Sequence, residues 1–143
     1  MNFVLDASVT MSWLLADGKS TDQRYAASVL TSLAESGIAA GVPVTWALEI
    51  ANVVARAEAR GLVTEAQSEA FLEMLSGIRI SPDSATFPRA LVETLSIARR
   101  YRLSSYDASY LELALRLGLP LATLDSDLLQ AARKAGINRY SKA

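Results

Sequence analysis

The sequence predicts an α/β fold with a mostly parallel central sheet, on three observations. Strand-length apolar segments stand at residues 2–5, 41–44, 78–80 and 120–123. Stretches with helical spacing, bounded by capping and stop residues, separate them, which is the alternation that parallel βα units require. At 143 residues the chain reads as one domain, 1–143, with no repeat, linker or low-complexity segment. That length buries roughly 70% of the unfolded surface, enough for a sheet covered on both faces.

Residues 2–5 read as a short buried strand that ends at Asp6. Ser8 then suits an N-cap for a largely apolar helix with Val9, Met11, Trp13, Leu14 and Leu15. The polar run from Asp17 to Asp22 is a loop that supplies the next cap. Tyr25, Val29, Leu30 and Leu33 recur at helical spacing until Ser36-Gly37 stops that helix. Gly41 to Val44 forms a second strand, leading into a helix from about Thr45 to Arg60 that Gly61 closes. Thr64 and Gln67 have capping-box spacing, so the next helix spans Glu65 to Ser76. The alternation of Ile78-Arg79-Ile80 is a strand that Pro82 ends. Helices follow near 87–101 and 105–117, with Ser104 or Ser105 as cap and Gly118 as stop. A fourth strand at Pro120 to Thr123 precedes a helix from about Ser126 to Lys134, and a fifth short strand is expected around Asn138 to Tyr140. The sum is about seven helices.

Four acids interrupt otherwise apolar segments: Asp6 after Phe3-Val4-Leu5, Glu49 within Trp46-Ala47-Leu48-Glu49-Ile50-Ala51, Asp107 within Tyr106-Asp107-Ala108-Ser109-Tyr110, and Asp125 after Leu121-Ala122-Thr123-Leu124. A carboxylate near a core loses several kcal/mol of hydration unless a cation or donor compensates, so four of them point to a common partner. Oxygen-only ligands suit a hard metal such as Mg²⁺ or Mn²⁺. Asp6 and Asp125 both follow strands and precede helices. If their strands are neighbours where strand order reverses, the two carboxylates meet in one crevice, and Glu49 and Asp107 can point into it from the opening turns of their helices.

The chain has no histidine and no cysteine. Zinc sites with nitrogen or sulfur ligands, Ser-His-Asp and Cys-His nucleophiles and histidine acid–base catalysis are excluded. The absence of disulfides fits a reducing interior. No run approaches the roughly 18 apolar residues of a membrane helix, and no signal-peptide pattern opens the chain, so a soluble, cytoplasmic protein is expected. A net charge of -1 argues against a uniformly basic surface, yet 11 of the 14 basic residues are arginine, and Arg99, Arg100 and Arg102 form the densest basic stretch.

The segments Leu5-Asp6-Ala7-Ser8, Trp46 to Asn52, Ser105 to Ala114 and Ala122 to Leu128, in this order and spacing, resemble the PIN-domain family, and most of all the VapC-type toxins of bacterial toxin-antitoxin pairs. The resemblance implies a PIN-like three-layer sandwich with a five-stranded sheet of order 3-2-1-4-5. It implies a metal-dependent endoribonuclease in which Asp6, Glu49, Asp107 and Asp125 hold one or two Mg²⁺ or Mn²⁺ ions, about 4 Å apart if two. Water attack on phosphorus would leave a 5′ phosphate and a 3′ hydroxyl. The expected partners are an RNA, with tRNA or rRNA loops typical of the family, a second copy of the chain, and an antitoxin whose extended segment blocks the acidic groove.

Several residues keep two readings. Asp6 alone could cap a helix. Ser8 either caps the first helix or meets a metal-bound water or the scissile phosphate, and Thr123 has the same choice against strand packing. Asn52, three residues beyond Glu49, is a candidate supporting or RNA-contacting residue. Asp125 and Asp127 compete for the fourth acidic role, with Asp127 able instead to face the dipole of the following helix. Glu112 reads as a surface or packing residue, and Trp13, Tyr25 and Trp46 as packing residues rather than base-stacking ones. Among other classes, a haloacid-dehalogenase-like phosphatase lacks its second Asp at Ser8, and a receiver domain lacks its paired acids and lysine. A catalytically silent PIN scaffold for protein binding remains the main alternative.

Overall fold

The computed structural model describes residues 1–142. Its sheet comprises β1 (Phe3–Leu5), β2 (Ala40–Val42), β3 (Ile80–Pro82) and β4 (Leu121–Ala122), in the order β3-β2-β1-β4 with every pair parallel. Consecutive residues of a strand face opposite sides. Phe3, Val4 and Leu5 are all 0% exposed, so helices cover the sheet on both faces in three layers. β3 is the partly exposed edge, which is why it accommodates Pro82, a residue that donates no ladder bond.

The helices are α1 (Ala7–Leu14), α2 (Ser20–Ala34), α3 (Trp46–Ala59), α4 (Glu65–Ser76), α5 (Thr86–Arg89), α6 (Leu95–Tyr101), α7 (Ser105–Leu117) and α8 (Ser126–Lys134). A π-helical turn, Ala90–Thr94, joins α5 to α6 without a break. Among the described residues this makes seven helical rods, as expected. Thr64 and Gln67 form the full capping box at the start of α4, and Gly118 closes α7 at a φ of 65° where a side chain would be strained. No helix in the described residues is long and apolar enough to cross a membrane.

Two expectations are corrected. The sheet has four strands, not five. The segment at Asn138 to Tyr140 lies where a fifth strand was expected, beside β4, but makes only one parallel bridge, Leu121 with Arg139. The acceptors that would extend the ladder are taken by side chains: the Thr123 carbonyl by the Arg139 guanidinium at 3.1 Å, and the Tyr140 carbonyl by the Tyr25 hydroxyl at 2.8 Å. Ser8 is not the cap of α1; that position belongs to Asp6, and the helix already runs at Ala7.

The carboxyl-terminal segment is nonetheless pinned. The Tyr140 ring stacks on Phe3 with centroids 3.9 Å apart, and the Arg139 guanidinium lies 3.6 Å over the Tyr25 ring. On the other side of the sheet the chain runs from β1 out to β2 and β3, then returns through α5 to α7 to place β4 against β1. The strand order therefore reverses between β1 and β4, and their carboxyl ends open a crevice there.

Candidate active site

Asp6 and Thr123 follow β1 and β4 in matched register, with the Asp6 amide donating to the Ala122 carbonyl at 2.9 Å. Asp6 is 4% exposed, and one carboxylate oxygen accepts from the Ser8 hydroxyl at 2.5 Å and the Thr123 hydroxyl at 2.8 Å. Burial raises its pKa; the two hydroxyls work against that rise and Asp125 adds repulsion. Ser8 also accepts from the Leu124 amide at 3.0 Å, and Thr123 from the Asp125 amide at 3.0 Å. Thus the two hydroxyls clamp Asp6 and tie the turn after β4 to the turn after β1.

Glu49 lies in the first turn of α3 and accepts from the Tyr110 hydroxyl at 3.1 Å. Its second oxygen, Oε1, is buried without a partner. Burial, with repulsion from Asp6 and Asp107, pushes this carboxyl from 4.5 to about 7 despite the Tyr110 bond. Tyr110 is 0% exposed, and burial beside Asp6 and Glu49 keeps its hydroxyl protonated well above the ordinary range, which secures it as the donor.

Asp107 enters from the first turn of α7, whose start is set by the Ser104 hydroxyl accepting from the Asp107 amide at 3.1 Å. Burial raises Asp107 to about 6, with further push from Asp6, Asp125 and Asp127. Asp125 caps α8, one oxygen accepting from the Leu128 amide at 2.9 Å. Asp127, one residue into that helix, is exposed, as is Asn52 on α3.

Glu49 is repelled by Asp6 and Asp107, Asp107 by Asp6, Asp125 and Asp127, and Asp6 by Asp125, so these acids influence one another as one cluster. Among the described residues no three acidic side chains are gathered closely enough to hold a metal ion in the conformation seen. Like charges without a counter-cation have every reason to stay apart. The donor set itself, all oxygen with one buried carboxylate oxygen unpaired, fits a hard divalent cation.

Beside Asp127 lies a cavity of about 560 Å³ lined by Arg100, Tyr101, Arg102, Asp127, Gln130 and Lys134. Arg102 holds a left-handed φ of 55°, found at no other non-glycine among the described residues, because it closes α6 as its C-cap, its amide donating to the Ala98 carbonyl.

Sequence reasoning pointed the four acids at one crevice and left Ser8 and Thr123 between that site and a capping or packing role; their hydroxyls both reach Asp6. It missed Tyr110 as the partner of Glu49, and Lys134 as the companion of the Arg100–Arg102 stretch. It also missed a second charged cluster in which Arg116 joins Asp83, at the end of β3, to Glu112 at 2.8 Å, with Arg89 3.7 Å from Glu112. Burial opposes charge at Asp83, but the Arg116 guanidinium, aided by Ala85 and Thr86, holds its carboxyl below the usual range. Glu112 is thus a buried ion-pair residue and no part of the acidic cluster. Trp13, Tyr25 and Trp46 pack, as expected.

The PIN-domain family model matches residues 3–134. Ribonuclease VapC3 of Pyrobaculum aerophilum is 27% identical over 130 residues, which span 91% of this chain and 94% of that protein. The crystal structure of PAE2754 from Pyrobaculum aerophilum shares the fold, with a TM-score of 0.65 and 23% identity, covering 92% of this chain and 79% of that one. A family match that runs from the first strand through the last helix, and takes in every acid of the cluster, closes the question of kinship: the chain belongs to the PIN-domain family.

Proposed function

We propose that this protein is a VapC-like endoribonuclease, dependent on Mg²⁺ or Mn²⁺, that acts as the toxin of a toxin-antitoxin pair. The observation that carries the reading is the cluster of acids in which Asp6 and Asp125, beyond β1 and β4, are joined by Glu49 of α3 and Asp107 of α7, with a basic cavity beside Asp127. Similarity to Ribonuclease VapC3 supports it.

Asp6, Glu49, Asp107 and Asp125 are the residues that would hold the cation. Bound there, it supplies a Lewis acid that makes water more acidic and offsets phosphate charge. Ser8 and Thr123 fix the Asp6 carboxylate, and Tyr110 fixes that of Glu49, so neither is free to turn away. Arg100, Arg102 and Lys134 receive backbone phosphates of the RNA. Hydrolysis forms a bond from a water oxygen to phosphorus and breaks the bond to the 3′ oxygen, which leaves with a proton. The products are a 5′ phosphate and a 3′ hydroxyl, and no histidine is needed.

Exposed Phe87, Leu91 and Val92, on the rod from α5 through the π turn, are the face on which we place the second copy of a homodimer. The antitoxin covers the acidic crevice. The reading is tested by incubating total RNA with the purified chain, freed of partner, with Mg²⁺, Mn²⁺ or EDTA, beside Asp6→Asn. Discrete metal-dependent fragments that the folded Asp6→Asn protein does not produce are expected. A mutant as active as the parent refutes the site, and a folded parent that cleaves nothing under either metal turns the reading to the silent scaffold.

A further inference from the structure

Beyond α8 the chain turns back along the edge of β4 that faces away from β1, in a segment outside the 3–134 span of the family match. Two backbone bonds lay it there: the Leu121 amide donates to the Asn138 carbonyl at 3.0 Å, and the Tyr140 amide to the Leu121 carbonyl at 2.9 Å. Between them stands Arg139, whose guanidinium donates to the Thr123 carbonyl at 3.1 Å.

This arginine is costly where it stands. It is half-buried, its Nε is buried with no partner, and among the described residues no carboxylate forms an ion pair with it. A guanidinium withdrawn from water ordinarily takes a carboxylate or a full set of acceptors. Arg139 has one carbonyl and the face of the Tyr25 ring, 3.6 Å away. Tyr25 is itself held, its hydroxyl donating to the Tyr140 carbonyl at 2.8 Å. Packing on Tyr25 needs no charge, so what distinguishes Arg139 is the group to which it donates.

That group belongs to the residue that joins the back of the crevice to its front. Thr123 is 0% exposed. Its hydroxyl donates to the Asp6 carboxylate at 2.8 Å and accepts from the Asp125 amide at 3.0 Å. Its carbonyl has the Arg139 side chain where a longer neighbouring strand would supply an amide. A continuous path of hydrogen bonds thus runs from Arg139 through Thr123 to Asp6 and to the turn that presents Asp125.

We propose that Arg139 is a positioning residue of the acidic site: by anchoring the Thr123 carbonyl, it fixes the Thr123 hydroxyl on Asp6 and the turn that carries Asp125. The inference rests on the cation-dependent reading above and adds to it a residue from outside the acidic cluster. Position and charge predict opposite effects on a bound cation. Removing a nearby positive charge alone would strengthen cation binding, whereas loss of a group that orients a metal ligand weakens it.

The test is titration of the folded chain with Mn²⁺, the free ion being read by electron paramagnetic resonance, with melting measured beside each variant. Arg139→Met keeps an apolar stem over Tyr25 and removes both donor and charge. It is expected to weaken Mn²⁺ binding about 10- to 100-fold, the range for loss of a residue behind a metal ligand. Arg139→Lys, which keeps a donor and the charge, is expected to bind more tightly than Arg139→Met. Thr123→Val cuts the same path, so adding Arg139→Met to it is expected to cost nothing further. Tyr140→Leu removes the stack on Phe3 and loosens the same segment; it is expected to lower melting and spare Mn²⁺ affinity. Affinity unchanged or raised in Arg139→Met overturns the proposal, as do losses in Arg139→Met and Thr123→Val that add. Equal losses in Tyr140→Leu and Arg139→Met overturn it by making the segment mere packing. A parent that binds no Mn²⁺ overturns the cation-dependent reading itself, and the inference with it, an outcome distinct from a parent that binds and variants that do not differ.

Discussion

Replacing Glu49 by Gln should stabilise the metal-free protein at alkaline pH. The carboxyl ionises at about 7 in the fold against 4.5 in its ordinary state. Over that window the folded chain binds more protons than the unfolded one, so this group makes stability fall as pH rises from about 4.5 to 7, with the full penalty present above 7. A displacement of that size corresponds to roughly 3 kcal/mol, but Glu49 is only half-buried, and solvent screening reduces it to about 1–2 kcal/mol. Gln keeps an acceptor for the Tyr110 hydroxyl and removes the charge. For a domain of this size the gain is worth about 3–6 °C in melting temperature.

The assay is thermal unfolding in EDTA at pH 8 and pH 5, parent beside Glu49→Gln. At pH 8 the variant melts higher; at pH 5, where the folded parent has largely taken up its proton, the difference shrinks to a fraction of that. Mn²⁺ at pH 8 raises the parent more than the variant, because only the parent offers the full set of carboxylates. Equal melting at pH 8 refutes the reasoning, since Glu49 would then carry no electrostatic strain. A gain undiminished at pH 5 refutes it as well, because it would come from packing.

Arg116→Ala leaves Asp83 and Glu112 buried without their shared cation, with Arg89 3.7 Å from Glu112 as the remaining partner. The expected cost is about 3–5 kcal/mol by urea unfolding, and a loss below about 1 kcal/mol would show the cluster to behave as a surface pair. Arg100→Gln with Arg102→Gln, placed in the Asp6→Asn protein so that RNA survives, should weaken RNA binding at low salt and flatten its salt dependence, by about 0.7 in the logarithmic slope per lost phosphate contact. An unchanged slope removes the basic cavity from the RNA path.

The strands and helices were legible because each rests on a local device. The capping box of Thr64 and Gln67, the Ser104 cap and the left-handed Gly118 each act within a few residues, and the helices begin and end close to where those residues say. The fifth strand was misjudged because its fate is decided from afar. Tyr25 and Arg139 take the two carbonyls a longer ladder needs, and no pattern in Asn138 to Tyr140 announces that. Similarly, Ser8 has the composition of a cap, but the Asp6 carboxylate and the Leu124 amide compete for its hydroxyl and win.

In the site, what sequence shows and what it hides divide along one physical line. A charge set in apolar sequence is conspicuous because its burial is costly, so Asp6, Glu49 and Asp107 stand out without any knowledge of the fold. Tyr110 is an ordinary residue for a helix, and becomes informative only when the fold brings it onto Glu49. The same contrast bears on stability. Three carboxyls raised by burial and mutual repulsion weaken the cation-free fold at neutral pH, and the chain tolerates this only because other contacts offset it. Those contacts are local to the strain: Ser8 and Thr123 donate to Asp6, Tyr110 donates to Glu49, and the fully buried β1 and β4 that carry the crevice pack against α7. A site held in this way is rigid at the carboxyls of Asp6 and Glu49, while cavities open beside Asp127 and beside Glu49.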